Sequence, residues 1–347
     1  MDKIDIKSLD LEELKVLTAG LKEKAFRAKQ IYDWMHVKLA DSFEEMTNIP
    51  LQLRERLKDI CVLTSLETLD KLESESGETA KFLFRLNDGN ILESVLMKYH
   101  HGNSVCISSQ VGCKMGCRFC ASAIGGFERN LRPSEMLEQI YRIQKASGER
   151  VANVVVMGTG EPLDNYDNLL KFIGMLTDGN GLNISQRNIT VSTCGLVDRM
   201  KALAGEKLRI TLAISLHAPN DQVRKQLMPV SERYGMDDIM EACAYYYENT
   251  GRRITFEYSL AEGVNDSLEH AVELAHRIKG LNCHVNLIPV NPIKERNYRQ
   301  SGAEKIQKFK NILEKYRINV TIRREMGTDI NAACGQLRKN YLDHYTD

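Results

Sequence analysis

The chain has 347 residues, 43% of them hydrophobic and 27% charged, enough for one large domain, or a large one plus a small one, each with its own core. Lysine plus arginine equal aspartate plus glutamate at 47 each, so net charge lends no support to a nucleic-acid partner, and any such reading has to come from local features. No apolar run approaches the ~18 residues of a membrane span, and the N-terminus MDKIDIKSLD lacks the basic start and apolar stretch of a secretory signal; in the reducing cytoplasm this implies, nine cysteines point to metal or thiol chemistry rather than to a disulfide framework.

Residues 1–61 carry helix signals. SLDLEELKVLTAGL opens on a Ser/Asp cap and repeats leucine at helical spacing, and KEKAFRAKQIYDWMH continues with apolar positions three and four apart. A small helical N-terminal domain is expected there, with 11 basic against 12 acidic residues, so its electrostatics do not make it an RNA-binding arm. Residues 62–98 include TAKFLFRLNDGNILESVLMKY, alternating runs about Asn87-Asp88-Gly89-Asn90 that predict a β-hairpin extension.

From residue 99 the pattern becomes strand, loop, helix, repeated. Strands are expected at 104–109, 152–157, 188–193, 210–215, 254–260 and 284–289, with a further one at 319–323, and helical patterns such as PSEMLEQIYRIQKA and YDNLLKFIGML lie between them. Strict alternation predicts a parallel sheet, and six such units predict an α/β fold built as a partial (β/α)6 barrel over 99–328, followed by a C-terminal segment, 329–347. The carboxyl ends of the strands read SSQVGCKMGCRFC, MGTGEP, STCG, SLHAP, LAEGVND and IPVNP. Each alone is ordinary turn chemistry; together they collect small and polar residues on the rim where such folds place their sites.

Cys113, Cys117 and Cys120 fall within eight positions. Zinc would need a fourth ligand, for which His100 and His101 are the nearest candidates. An Fe–S cluster held by four cysteines would need another thiolate, and Cys106 lies within a predicted strand. A third reading is a 4Fe–4S cluster on three protein thiolates, whose remaining iron keeps sites open for a small chelating ligand. Taken as residues alone, Cys106 and Cys334 read as small core residues and Glu93 as a solvated charge on a hairpin strand; Cys61, Cys194, Cys243 and Cys283 read as structural.

Cys-x3-Cys-x2-Cys with Phe119 before the last cysteine resembles the cluster loop of radical S-adenosylmethionine (SAM) enzymes. That resemblance implies a cluster on Cys113, Cys117 and Cys120, with the amine and carboxylate of SAM on the open iron, and cleavage of SAM to a 5′-deoxyadenosyl radical. It also implies that Gly160 and Glu161 meet the SAM amine, Ser192 and the Ser215-Leu216-His217 turn its carboxylate and ribose, and Asn291 its adenine side. CISSQVGCKMGCRFCASAIGGFERNL, MGTGEPL, LAISLHAP, LMPV, VNLIPVNP and AACGQL as a set resemble the RlmN family, which methylates C2 of an adenine in 23S ribosomal RNA, at the peptidyl transferase centre, and of the adenosine next to the anticodon in tRNA. Departures are small: ASAIGG where Thr-Gly is common, Thr159 where Met is frequent, and Cys194 where Ser is usual.

An adenine C2 lies between two ring nitrogens and is too electron-poor to attack the methyl of SAM as an ordinary nucleophile does. The resemblance implies a detour using two SAM per turnover: Cys334 is methylated, its methyl loses a hydrogen to the deoxyadenosyl radical, the resulting carbon bonds to C2, Glu93 takes the C2 proton, and Cys106 displaces the protein sulfur by forming a disulfide. The implied partners are the RNA substrates and an electron donor such as flavodoxin or ferredoxin, with a cytoplasmic monomer and no membrane. Residues 290–347 hold 12 basic and 7 acidic residues, and Lys294, Arg296, Arg299, Arg323 and Arg324 are expected in or beside rim loops, where phosphate contacts would act. A C8-methylating relative of the antibiotic-resistance type shares the cluster loop and both cysteines, and a zinc-stabilised, non-catalytic RNA-binding protein is the alternative from another class.

Overall fold

A computed structural model describes residues 3–324 and 326–337. The remainder of the expected 329–347 segment lies outside the described residues. Three helices, α1 (Leu11–Gly20), α2 (Phe26–His36) and α3 (Leu51–Ile60), form the N-terminal part. The α1 cap is the expected one: the Asp10 side chain accepts from Glu13 N and the Glu13 carboxylate accepts from Asp10 N, both at 2.9 Å, which satisfies two donors that a helix start leaves unpaired.

The rest is organised by one ten-stranded sheet whose strands lie side by side in strict chain order. β1 (Glu67–Glu73), β2 (Thr79–Arg85) and β3 (Ile91–Met97) run antiparallel and lead into β4 (Asn103–Ile107). From β4 the pairing is parallel through β5 (Val151–Val156), β6 (Ile189–Thr193), β7 (Thr211–Ser215), β8 (Ile254–Leu260), β9 (Cys283–Pro289) and β10 (Asn319–Ile322). The last strand does not pair with the first, so the barrel stays open on one side. Each predicted barrel strand is present, with its ends moved by at most two residues. The hairpin is present as β2 and β3; β1 was not expected, because Glu67–Glu73 is charged and half-exposed and carries no apolar alternation to reveal it.

The parallel strands form because their residues are apolar on both faces, as in Val151–Val156, and helices cover the outer one. α4 (Pro133–Ser147) shows the local logic. Proline opens it, Glu135 accepts from the Arg132 N–H at 2.8 Å, and Gly148 ends it in the left-handed conformation. Its inner face meets the N-terminal helices across an unusually polar seam. Lys7 Nζ lies 2.6 Å from Glu138 Oε1 with both side chains buried, the other oxygen of Glu138 accepts from Leu66 N and Arg142 Nε, and His36 Nδ1 shares a hydrogen bond with Tyr141 at 2.7 Å. No helix among the described residues is long and apolar enough to cross a membrane.

Candidate active site

A cleft of about 1290 Å³, its open mouth included, occupies the barrel at the carboxyl ends of the strands. Cys106, Cys113, Cys117, Phe119, Cys120, Gly160, Glu161, Ser192, Ser215, His217, Asn291 and Cys334 all line it. Eleven rim and loop positions scattered over more than 200 residues converge with Cys106 because the alternating strands deliver every loop to the same end. Leu216 lies fully buried beneath the rim, its N–H donating to the Glu257 carbonyl at 3.0 Å. Glu93 is not among the lining residues, although it shares a face of β3 with Val95 and Met97, which are.

The loop after β4 begins with a short strand, Gln110–Gly112, that pairs with Phe127–Asn130, so that the three cysteines sit on an excursion closed at its base. All three are free thiols. Burial pushes the Cys113 thiol up to about 12 and those of Cys117 and Cys120 upward as well, with the neighbouring cysteines adding to the effect at Cys113 and Cys117. Thiols held protonated by desolvation and by one another fit a group that brings several positive metal centres among them, since that charge favours the thiolates burial opposes.

Gly160 has φ +107°, and a Cβ there would lie 2.6 Å from the Gln110 side chain; only glycine lets this turn lie against the cluster loop. Glu161 follows, buried, accepting from Leu163 N at 3.0 Å and from Cys194 N at 2.7 Å. Burial raises its carboxyl while those N–H donors oppose the shift, leaving an acceptor suited to an ammonium. Ser192 and Ser215 lie side by side, Oγ to Oγ 3.3 Å. His217 takes a left-handed φ of +55° and its Nδ1 accepts from Ser259 N at 2.9 Å. Burial, reinforced by the Arg224 cation, lowers the His217 pKa to about 3, so a neutral ring meets the Phe119 edge, centroids 4.9 Å apart. A neutral ring is compatible with a sulfonium ligand where an imidazolium is not.

Cys334 stands exposed at the cleft's mouth. Its segment is tied to the cluster loop and rim: Ala121 N donates to Gly335 O at 2.8 Å, Ser122 Oγ to Leu337 O at 2.8 Å, and Asn291 Nδ2 to Cys334 O at 3.0 Å. Cys106 also is a free thiol. Burial and Cys334 push it up to about 12 while Arg323 pulls the other way. The reading of Glu93 as a solvated charge is overturned. It is fully buried, with Lys81 Nζ 3.1 Å away and equally buried, and Lys81 also donates to Asn331 O at 3.3 Å, so the Cys334 segment lies over the face that a lone hairpin would expose.

Cys61, Cys243 and Cys283 are core residues as expected, whereas Cys194 lines the cleft and packs in the small apolar cluster that includes Cys117. The Arg323-Arg324 pair divides: Arg324 is exposed beside Glu78 at 2.7 Å, while Arg323 turns into the cleft. Glu257, a further cleft residue not anticipated, is a glutamate in the middle of an apolar strand, a sequence signal that was available. Lys294, Arg296 and Arg299 are exposed, as expected.

Residues 4–63 match the ribosomal RNA large subunit methyltransferase N-terminal domain, and residues 107–275 match the radical SAM superfamily. A protein of Lachnoclostridium phytofermentans named "Probable dual-specificity RNA methyltransferase RlmN" is 64% identical, covering 99% of this chain and 96% of its own. A protein of the same name from Lachnospira eligens is 65% identical over 98% and 97%. The crystal structure of a radical SAM methyltransferase from Sphaerobacter thermophilus superposes with a TM-score of 0.93 at 42% identity, covering 96% of this chain and 99% of that one.

Proposed function

Because the chain belongs to the RlmN family of radical SAM dual-specificity RNA methyltransferases, we propose that this cleft methylates C2 of adenine in 23S ribosomal RNA and of the adenosine beside the anticodon in tRNA, with Cys334 carrying the transferred carbon. Its cofactors are a 4Fe–4S cluster and SAM, which when bound supply the methyl group and the one-electron chemistry that lets an unreactive methyl bond to an electron-poor carbon. Cys113, Cys117 and Cys120 hold the cluster. Gly160 and Glu161 receive the SAM amine, Ser192, Ser215, Leu216 and His217 its carboxylate and ribose, and Asn291 its adenine side. Phe119 packs against the neutral His217 ring at this site.

The observation that carries this reading is the seating of Cys334 over the cluster loop, in one cleft with Cys106. Once the Cys334 carbon is joined to C2 and the adduct's unpaired electron has been given up to the one-electron chemistry the cluster would supply, Glu93 takes the C2 proton. Cys106, as thiolate, then attacks Cys334 Sγ; an S–S bond forms, the S–C bond breaks, and its electron pair passes to the carbon left on the base, which takes up a proton to become the methyl group. The disulfide must be reduced to two thiols before another turnover, and an electron donor of the flavodoxin or ferredoxin class would serve the cluster. A stacked base hides C2, so the substrate adenosine is splayed from folded RNA into the barrel mouth. The protein works as a monomer in the cytoplasm, where both RNAs reside.

Peptide mass analysis after anaerobic expression is expected to find a methyl on Cys334. The Cys106→Ala protein is expected to accumulate bound RNA, and mapping on modified RNA is expected to yield 2-methyladenosine. An unmodified Cys334 peptide or an 8-methyl product would overturn the proposal.

A further inference from the structure

Glu257 and Arg323 are the carboxylate and the guanidinium that neither the cluster, the SAM contacts nor the two-thiol chemistry uses, yet both line the cleft beside Cys106 and Cys334. Glu257 sits on β8 in register with Asn286 on β9, which in turn is in register with Thr321 on β10. Their side chains form a row. Thr321 Oγ1 donates to Asn286 Oδ1 at 2.6 Å, and Asn286 Nδ2 donates to Glu257 Oε1 at 2.9 Å. The Glu257 backbone is held too, its carbonyl accepting from Leu216 N and His217 N at 3.0 and 3.3 Å. One oxygen is thus committed and the side chain cannot swing away. The other, Oε2, is buried with no partner among the described residues, and such an acceptor is costly to leave unfilled.

Arg323 continues β10, its N–H donating to Leu287 O at 2.8 Å. Among the described residues it makes no ion pair with Glu257 or any other carboxylate, although the two charges sense each other: burial raises the Glu257 carboxyl and Arg323 opposes that shift. A fixed acceptor and a donor whose backbone is anchored therefore share a cleft wall without closing on one another. Such a gap matches a ligand edge that offers a donor next to an acceptor.

We propose that Glu257 and Arg323 recognise the donor–acceptor edge of an adenine, Glu257 Oε2 accepting from its amino group and Arg323 donating to the adjacent ring nitrogen N1. C2 is bonded to N1, so this placement brings C2 towards Cys334, and a guanine or hypoxanthine would set a carbonyl against the carboxylate. The pair is a specificity device resting on the RNA methyltransferase reading above. The adenine has two sources, the substrate RNA and SAM.

The experiment compares adenosine with purine ribonucleoside, which lacks the amino group, at the target position of a tRNA anticodon stem-loop. Wild-type protein is expected to favour adenosine by about tenfold or more in kcat/KM, as a site built around a substrate N–H rejects the analogue lacking it. In Glu257→Gln, Asn286 still claims the carbonyl oxygen, so the amide NH2 faces the cleft and the preference is expected to vanish; Glu257→Ala is the second variant should that one fold poorly. Equilibrium dialysis of SAM, and of its analogue lacking the adenine amino group, is run on the same proteins. If the variants lose the RNA preference and keep SAM affinity, the site reads the RNA adenine; if they lose discrimination between SAM and its analogue, it reads the SAM adenine. Folded, cluster-replete variants that keep both wild-type ratios overturn the inference. A wild-type protein that methylates neither RNA strikes the functional reading instead, and the dialysis ratios still decide this one.

Discussion

The barrel holds two flanking segments in opposite ways. The N-terminal part meets α4 through charge, fully buried at Lys7 against Glu138 and nearer the surface where Arg142 meets Glu138 and Asp41 and Lys145 meets Asp41, with Asp5 accepting from Ser134, above an apolar layer continuous with the barrel core. Among the described residues, the Cys334 segment is held by hydrogen bonds to the cluster loop, Asn291 and Pro292 and by Lys81 donating to Asn331 O, and it buries Ala332, Ala333, Gln336 and Leu337. A buried ion pair is expensive to open because each charge loses its partner in a low dielectric, whereas a few bonds near solvent are exchanged for bonds to water at small cost. One junction is built to stay closed. The other carries Cys334, the sulfur proposed to meet in turn a small cofactor and an RNA base.

That contrast can be broken first at the N-terminal seam. Lys7→Met leaves the buried Glu138 short of its principal cation and is expected to destabilise the whole protein by about 3–5 kcal/mol, read as a shift in the denaturant midpoint. Acid acts on the same seam. Burial, with Lys7 nearby, lowers the His36 pKa from 6.5 to about 3, so the folded state keeps a neutral ring where the unfolded chain takes up a proton. Its contribution is complete above pH 6.5 and is lost as pH falls towards 3, up to about 5 kcal/mol. The unfolding temperature should fall across that window, and by less in His36→Gln. At the C-terminal segment the effects are smaller and local. Gly327 has φ +68°, and a Cβ there would meet Thr79 Cγ2 at 2.8 Å and Ala332 Cβ at 2.9 Å. Gly327→Ala is expected to loosen the segment by about 1–3 kcal/mol, seen as faster amide exchange at Ala332 with little change in global unfolding. Asn291→Ala removes the bond to Cys334 O and should speed amide exchange along the segment about fivefold, as the loss of ~1 kcal/mol implies. A global midpoint shift in either variant as large as that of Lys7→Met would erase the distinction.

Much of the molecule was legible in the chain. The barrel strands show themselves because parallel strands covered on both faces are apolar throughout, as at Val151–Val156 and Ile254–Leu260. Three cysteines at Cys113, Cys117 and Cys120 have spacing that chance in a core does not explain. The burial of Glu93 was not legible, since it depends on the Cys334 segment lying over that face and on Lys81 across the sheet. Nor was the inward turn of Arg323: beside Arg324 it reads as one more surface cation, and only the register of β10 separates the two.

Local order along the chain determined the alternation of strands and helices, the end of the barrel where function collects and the thiol set, because period, turn residues and ligand spacing are properties of neighbours in sequence. Tertiary structure alone decided which charges lie inside, which oxygen of Glu257 stays open and how loosely the Cys334 segment is held. Those depend on partners up to 250 residues away, as Lys81 is from Asn331, and on burial, which multiplies the strength of every charge it encloses.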